Sequence, residues 1–170
     1  FQQGMTGFER YVDIMDTPVA IEDATDAVDI GKVEGNIRFE DVGFSYGKDL
    51  GKVLNHINLE VEAGTNVAVV GPSGGGKTTL CSLIPRFYDV TEGRVLIDGK
   101  DVRDVTQKSL RSNIGIVQQD VYIFVGTVRD NIAYGKPGAT DEEIVNAAKL
   151  AGAHEFIMAL ENGYDTHVGQ

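Results

Sequence analysis

The sequence predicts an α/β fold in three parts: an N-terminal antiparallel β-subdomain, a core in which a strand leads through a glycine-rich loop into a helix, and the start of a helical subdomain. Three observations support this prediction. Apolar and polar residues alternate with period two over residues 36–42 and again over 54–61, as in half-buried strands. Four glycines lie between positions 71 and 76, directly after an apolar run. From Thr140 onward, apolar residues recur at helical spacing.

The composition is that of a globular protein and excludes some functions. The chain has 170 residues, of which 42% are hydrophobic, and a formal net charge of −11. So acidic a chain is a poor general binder of DNA or RNA, and no nucleic-acid partner is expected. The single cysteine, Cys81, cannot form an internal disulfide, and we expect it on a packed helix face. No apolar stretch approaches the ~18–20 residues of a membrane span, so this piece alone is expected to be soluble and cytosolic.

The first 35 residues are expected to form a short amphipathic segment followed by a linker. The apolar stripe of this segment has helical spacing, and we interpret it as packing against a neighbour. The stripe consists of Met5, Phe8, Val12 and Met15. Residues 19–35 are acidic and show little pattern, which indicates a solvated linker. The two alternating segments that follow are joined by a turn over residues 47–52, which predicts a β-hairpin.

The run from Gly71 to Thr78 fits G-x-x-x-x-G-K-[ST], the phosphate-binding loop of proteins that use ATP or GTP. Its glycines let the backbone curl so that successive N–H groups point at phosphate oxygens. Lys77 can reach the β- and γ-phosphates, and the Thr78 hydroxyl can ligate Mg²⁺. A buried strand over 67–70 and a helix over 79–84 are expected on either side. This setting supports the motif and predicts a partial P-loop NTPase core.

Beyond the loop the sequence predicts short strands, turns and helices. These are a strand over 94–97, a turn over 98–100, one or two helical turns over 107–113 and a buried strand over 114–117. Thr140 and Glu143 form a capping box ahead of a helix, and a second helix is expected over about 155–161.

The segment that ends at Asp98 superficially resembles the second ATPase motif. Asp98 ends an apolar run, as does the acidic residue that assists Mg²⁺ in the second ATPase motif. However, Gly99 rather than Glu follows it, and the run comes too soon after the loop helix. We therefore interpret Asp98 as a turn residue.

Three further features lie at regular distances from the loop. Tyr46 ends the run 39–46 some 25 residues before the loop, and Gln119 follows an apolar stretch about 40 residues after Lys77. The segment 86–99 directly follows the loop helix. Together these features closely resemble the ATP-binding cassette of ABC transporters, of the exporter type in which cassette and membrane helices share one polypeptide. The resemblance implies that residues 36–170 are a partial ABC ATP-binding domain.

The resemblance also implies a role for each site residue. Tyr46 matches the aromatic residue that stacks on adenine, and Lys77 and Gln119 are the implied catalytic residues. Gln119 matches the glutamine that senses the γ-phosphate side through Mg²⁺ and water; Gln118 is chemically equal, but the pattern places the glutamine before an acidic or amide residue, here Asp120. The implied cofactors are ATP and Mg²⁺. The implied ATP-binding residues are Tyr46, Gly71, Ser73, Gly74, Gly75, Gly76, Lys77, Thr78, Thr79 and Gln119, and the implied metal ligands are Thr78 and Gln119.

Partners and location follow from the same resemblance. Residues 1–35 are expected to be a tail and linker from the last transmembrane helix, and a second cassette is expected as dimer partner. The segment 121–135 matches the region that presents a groove to the coupling helices of the membrane domain. For Tyr122 and Phe124, a coupling surface and plain core are equally open interpretations. The intact protein is expected at the cytoplasmic face of the cell membrane.

The 170 residues contain no L-S-G-G-Q signature, no later apolar strand ending in Asp-Glu and no switch histidine. We therefore expect this piece to bind ATP weakly and to hydrolyse it negligibly, whereas hydrolysis by the intact protein drives substrate export. Two other interpretations stay open: a soluble ABC ATPase, and a non-catalytic nucleotide-binding or interaction module. A GTPase would need a guanine-reading N-K-x-D, which does not occur here.

Overall fold

The computed structural model describes residues 2–47, 49–118 and 122–169, except for the side chains of residues 2–6 and 9. The chain consists of two units, Phe1–Gly115 and Ile116–Gln170, and each is described by itself. Within the described ranges, no helix is both long enough and apolar enough to cross a bilayer.

A four-stranded antiparallel sheet organises the first unit. Its strands lie in the order β2-β1-β3-β4. They are β1 (Ile37–Phe44), β2 (Leu54–Val61), β3 (Glu92–Ile97) and β4 (Lys100–Asp101). The central strand β1 pairs with both neighbours, so that Ile37 lies opposite Val61 on one side and Ile97 on the other. The predicted hairpin and the predicted strand over 94–97 are both confirmed.

Three helices accompany this sheet in the first unit. They are α1 (Gln2–Met15), α2 (Lys77–Leu83) and α3 (Gln107–Arg111). The helical spacing predicted for the N-terminal segment is confirmed, although Phe8 and Met15 of its stripe are exposed.

The helix α2 does not bury Cys81, so the prediction of a packed cysteine is wrong. The helix buries Thr79 and Leu83, which lie four residues apart on one face. Cys81 lies two residues from each of them, about 200° around the helix axis, and is exposed.

The segment 19–35 was interpreted as a solvated linker, but part of it is fixed against the core of the first unit. Ile30 is buried in the core of the first unit, and its backbone N–H donates to Ser109 Oγ at 3.1 Å. Val28 forms a parallel bridge with Val105. Acidic composition indicated solvation, but burial of one apolar side chain and pairing of the backbone fix this segment against the core.

The core of the first unit is apolar and combines the sheet with both later helices. Its buried residues are Ile30, Phe39, Val42, Phe44, Leu54, Leu83, Val95, Ile97, Val102, Val105 and Leu110. The short helix α3, predicted over 107–113, begins at a cap in which the Thr106 side chain accepts a hydrogen bond from the Ser109 N–H.

Residues 67–70 and 114–117 do not form strands, so these two predictions are wrong. Neither segment takes part in the sheets of the described residues, and Val70 and Val117 are 88% and 97% exposed. A short apolar run is typical of a strand buried between parallel neighbours, but the run cannot supply those neighbours itself. Without a ladder of hydrogen bonds, an apolar segment stays irregular.

The second unit is mainly helical. Its elements are β5 (Gly126–Thr127), α4 (Val128–Ala133), α5 (Asp141–Leu150), α6 (His154–Met158), a 3₁₀ turn (Gly163–Asp165) and β6 (His167–Val168), with β5 antiparallel to β6. Ile144, Ala148, Ile157 and Tyr164 form its buried core. The capping box of Thr140 and Glu143 is confirmed, and the second predicted helix is present as α6.

Asp98 is a turn residue, as predicted. It lies between β3 and β4 with φ 48°, and Gly99 follows with φ 79°. Its carboxylate accepts hydrogen bonds from three consecutive backbone N–H groups, those of Glu34 (2.7 Å), Gly35 (3.2 Å) and Asn36 (2.9 Å). Partial burial raises the pKa of Asp98, but these hydrogen bonds outweigh it, and the pKa lies below its usual value.

Replacing Asp98 by Ala is expected to lower the free energy of unfolding by about 1–3 kcal/mol, because three backbone donors lose a charged acceptor. The pKa is lower in the fold than in the unfolded chain. The carboxylate therefore adds stability above the unfolded pKa of about 3.9, and this stability is lost as pH falls through the folded value. Urea denaturation at pH 7 and pH 3, followed by circular dichroism, measures both effects.

The matched control is Asp26→Ala, because Asp26 is exposed and its side chain makes no hydrogen bond or ion pair among the described residues. Equal unfolding free energies for the two variants at pH 7 would contradict the role of Asp98.

Candidate functional site

The glycine-rich loop leads into α2 through a backbone that suits glycine. Gly74 and Gly76 have φ values of 77° and 80°, in the left-handed region that other residues rarely adopt. The Gly75 N–H donates to the Pro72 carbonyl at 3.1 Å and closes a turn. The helix then starts with a bond of 2.8 Å from the Leu80 N–H to the Gly76 carbonyl.

Gly76 is also required by its surroundings. It is buried, and a Cβ atom at this position would lie 2.8 Å from Leu54 Cδ2 and 3.2 Å from the Val53 carbonyl oxygen. The loop is therefore seated directly on the start of β2. A side chain would push the loop away from the sheet.

Lys77 bends back over the loop that it follows. Its Nζ donates to the carbonyl oxygens of Gly71 (2.8 Å) and Pro72 (2.7 Å). The ammonium group is thus held above the loop by neutral acceptors rather than by a carboxylate. An anion at the loop could draw the ammonium away at the cost of two ordinary hydrogen bonds.

These features fit a polyphosphate group. The first turn of α2 has no acidic residue, so the partial positive charge of its N–H groups is not neutralised. The predicted residues Ser73 and Thr78 are both exposed, in the loop and in the first helical turn. Gln119 lies outside the described residues, so its role stays a prediction.

Tyr46 is brought next to α2, as its predicted role requires. Its hydroxyl and Thr79 Oγ1 are hydrogen-bonded at 2.8 Å, and 50% of the residue is exposed. Its ring packs edge to face with Phe44 and with Tyr88, at centroid distances of 4.8 and 5.1 Å. The sequence reasoning missed Tyr88, whose only signal was its place just after the loop helix.

The second unit exposes an aromatic cluster formed by Tyr122, Phe124 and Tyr134. Phe124 stacks on Tyr134 at 4.2 Å and meets Tyr122 at 5.0 Å. The Asn131 side chain accepts from the Phe124 N–H and donates to its carbonyl, which fixes this strand-like segment against α4. Tyr122 is exposed, as is Phe124, so plain core is the wrong interpretation for these two residues.

The antiparallel β-subdomain, the seated phosphate loop and the aromatic ring beside α2 together define a nucleotide-binding domain. The chain belongs to the ABC transporter family, because the family model described as ABC transporter matches residues 54–167, more than half of the chain. The predicted α/β fold class and the resemblance to exporter cassettes are both confirmed.

Individual relatives agree with this assignment. The chain is 48% identical over 170 residues to an uncharacterized ABC transporter ATP-binding protein, YwjA, of Bacillus subtilis, and 52% identical over 169 residues to an ATP-dependent lipid A-core flippase of Desulfotalea psychrophila. These matches cover 100% and 99% of the chain but 29% of each relative. The structure of a bacterial Atm1-family ABC exporter with ATP bound matches with a TM-score of 0.88 at 43% identity, covering 99% of this chain and 29% of that one. The chain thus spans less than a third of the length of each of these three proteins.

Gly76→Ala is expected to destabilise the chain more than Gly74→Ala does. Both positions have almost the same positive φ, so both variants carry a backbone penalty of about 1–2 kcal/mol. A Cβ at Gly74 meets nothing within 4 Å, whereas the Cβ at Gly76 collides with Leu54. Parallel urea titrations of the two variants isolate the cost of the collision, and equal midpoints would show that the loop does not rest on β2.

Proposed function

We propose that this chain is the greater part of the ATP-binding domain of an ABC exporter, and that ATP hydrolysis by the intact protein drives substrate export. The single observation that supports this best is that one unit holds the residues proposed for both ends of a nucleotide site. The phosphate loop is seated on β2 through Gly76, and Tyr46 is tied to Thr79 in the helix that leaves the loop. The two halves are thereby fixed on a common support.

Each residue has a role in this proposal. Backbone N–H groups between Gly71 and Thr79 surround the phosphate chain, and Lys77 exchanges its bonds to loop carbonyls for bonds to the terminal phosphates. The half-exposed ring of Tyr46 offers a flat face to the adenine. Mg²⁺, when bound, would neutralise phosphate charge, and Thr78 and Gln119 are the residues proposed to hold it.

The proposed partners belong to the intact transporter. We propose that residues 1–35 lead from the last transmembrane helix, that residues 36–170 belong to the cassette, and that a second cassette completes the site. The coupling helices of the membrane domain are proposed to contact the aromatic cluster of Tyr122, Phe124 and Tyr134. The exposure of this cluster supports the proposal. A second support is a relative that is 49% identical over 168 residues, the putative multidrug export ATP-binding/permease protein YgaD of Bacillus subtilis. The cassette would then lie at the cytoplasmic face of the membrane.

Lys77→Ala is expected to weaken binding of ATP with Mg²⁺ by roughly ten- to a hundredfold, because it removes a charge-assisted hydrogen bond to the phosphates. Isothermal titration calorimetry on the 170-residue chain measures this directly. In the complete transporter the same change is expected to stop transport.

The control for this variant is Lys108→Ala, which removes an exposed lysine from α3 and should leave ATP binding intact. Unchanged affinity in the Lys77 variant, or unchanged transport, would refute the assignment of the loop.

The 170-residue chain by itself is expected to release phosphate from ATP at a rate close to the buffer background. The 170 residues contain no L-S-G-G-Q signature, no later apolar strand ending in Asp-Glu and no switch histidine, the elements expected to complete a hydrolytic site. A steady-state phosphate-release assay, with the Lys77→Ala variant as reference, tests this. Turnover near 1 s⁻¹ or above, at the level of ordinary enzymes, would show that these residues suffice for hydrolysis.

A further inference from the structure

Tyr46 is held from three directions although half of it faces solvent. Its hydroxyl is bonded to Thr79 Oγ1 at 2.8 Å, and Phe44 lies at its edge with ring planes at 86°. Tyr88 approaches from the segment that follows α2, at a centroid distance of 5.1 Å and an angle of 90°. Phe44 and Tyr88 also touch each other at 5.6 Å, so the three rings form a closed aromatic group.

Hydrogen bonds hold the backbone segment that carries Tyr88. Arg86, which is buried, donates from Nε to Asp89 Oδ1 at 2.7 Å and closes a loop around residue 88. Arg111 donates to the carbonyl oxygens of Pro85 and Arg86, at 2.9 and 2.8 Å, and holds the same segment from α3. Three hydrogen bonds therefore hold a segment whose central side chain, Tyr88, remains 42% exposed.

Tyr88 is not one of the buried core residues, yet its ring packs against Phe44 and Tyr46. Phe87, the neighbouring aromatic, is 41% exposed but lies under the guanidinium of Arg111 rather than against Tyr46. Of Phe87 and Tyr88, it is therefore Tyr88 whose ring packs against Tyr46. An aromatic ring fixed before its ligand arrives loses less rotamer entropy on binding.

We infer that Tyr88 is a positioning residue for Tyr46: it holds the ring that receives the nucleotide base and thereby sets the advantage of a base-bearing triphosphate over a bare polyphosphate. The inference rests on the proposed function of Tyr46 and goes beyond it. Tyr88 acts through Tyr46 and needs no contact with the ligand. Thr79 is the second tether, since it fixes the far end of the same ring.

The test compares the binding of ATP and of inorganic tripolyphosphate, both with Mg²⁺, to the 170-residue chain by calorimetry. Tyr88→Leu is expected to weaken ATP binding roughly three- to tenfold, the scale of one side chain that must be ordered on binding, and to leave tripolyphosphate binding unchanged. Tyr88→Phe keeps the ring and should restore ATP binding. Phe87→Leu is the matched control and should change neither ligand.

A ligand-free measurement accompanies the binding test. With 3-fluorotyrosine incorporated, the ¹⁹F signal of Tyr46, assigned by its loss in Tyr46→Phe, is expected to shift or broaden in Tyr88→Leu but not in Phe87→Leu. Circular dichroism verifies folding, and Tyr88→Met replaces the leucine variant if that variant does not fold.

The outcomes are distinct. An equal loss for ATP and tripolyphosphate would mean a purely structural role and would overturn the inference, as would unchanged ATP binding in Tyr88→Leu. In a Tyr46→Ala background Tyr88→Leu should have no further effect, and an added loss there would also overturn it. If the unmodified chain bound neither ligand, the proposed function would fail, and the ¹⁹F spectrum alone would decide whether Tyr88 fixes the Tyr46 ring.

Discussion

The close approach of Gly76 to the first residues of β2 is the constraint on which the candidate site depends. A Cβ there would lie 2.8 Å from Leu54 Cδ2, so the loop can rest on the sheet only where a side chain is missing. This contact sets where α2 begins, and α2 carries Thr79 to the hydroxyl of Tyr46. The Gly76 contact and the Tyr46–Thr79 hydrogen bond together set the spacing between the glycine-rich loop and the Tyr46 ring.

Local signals predicted the parts of the fold that local interactions decide. The period-two pattern marked β1 and β2 because one face of each strand is buried in the sheet. The box of Thr140 and Glu143 marked the start of α5 because both hydrogen bonds close within four residues. The glycine after Asp98 was enough to predict that Asp98 is a turn residue. The three backbone donors that its carboxylate binds lie 62–64 residues away, so the local sequence could not predict them.

The predictions that failed concern partners distant in sequence. The acidic segment before β1 reads as solvated, yet Ile30 is buried through contacts with residues beyond position 100. The apolar runs 67–70 and 114–117 were predicted to be buried strands. A strand is buried only between neighbouring strands, and a single run does not specify these. Tyr88 escaped notice for the same reason, because only the folded chain shows that its ring meets Tyr46 across 42 residues of sequence. Gln119 lies outside the described residues, and its role rests on the resemblance alone.

The two ends of the proposed site offer different chemistry, and this limits which ligands they would select. At the loop, main-chain N–H groups and the charge of Lys77 are proposed to bind phosphate oxygens, which all nucleoside triphosphates share. At Tyr46 the contact is a π-face, which every base can match. Strong discrimination between bases needs donors and acceptors aligned with their edges. The one polar group of the Tyr46 ring is already hydrogen-bonded to Thr79, at the rim of the ring rather than on its face. In the proposed site these residues would therefore favour a flat base joined to a phosphate chain, and a preference for adenine over guanine would have to come from groups other than this ring and this loop.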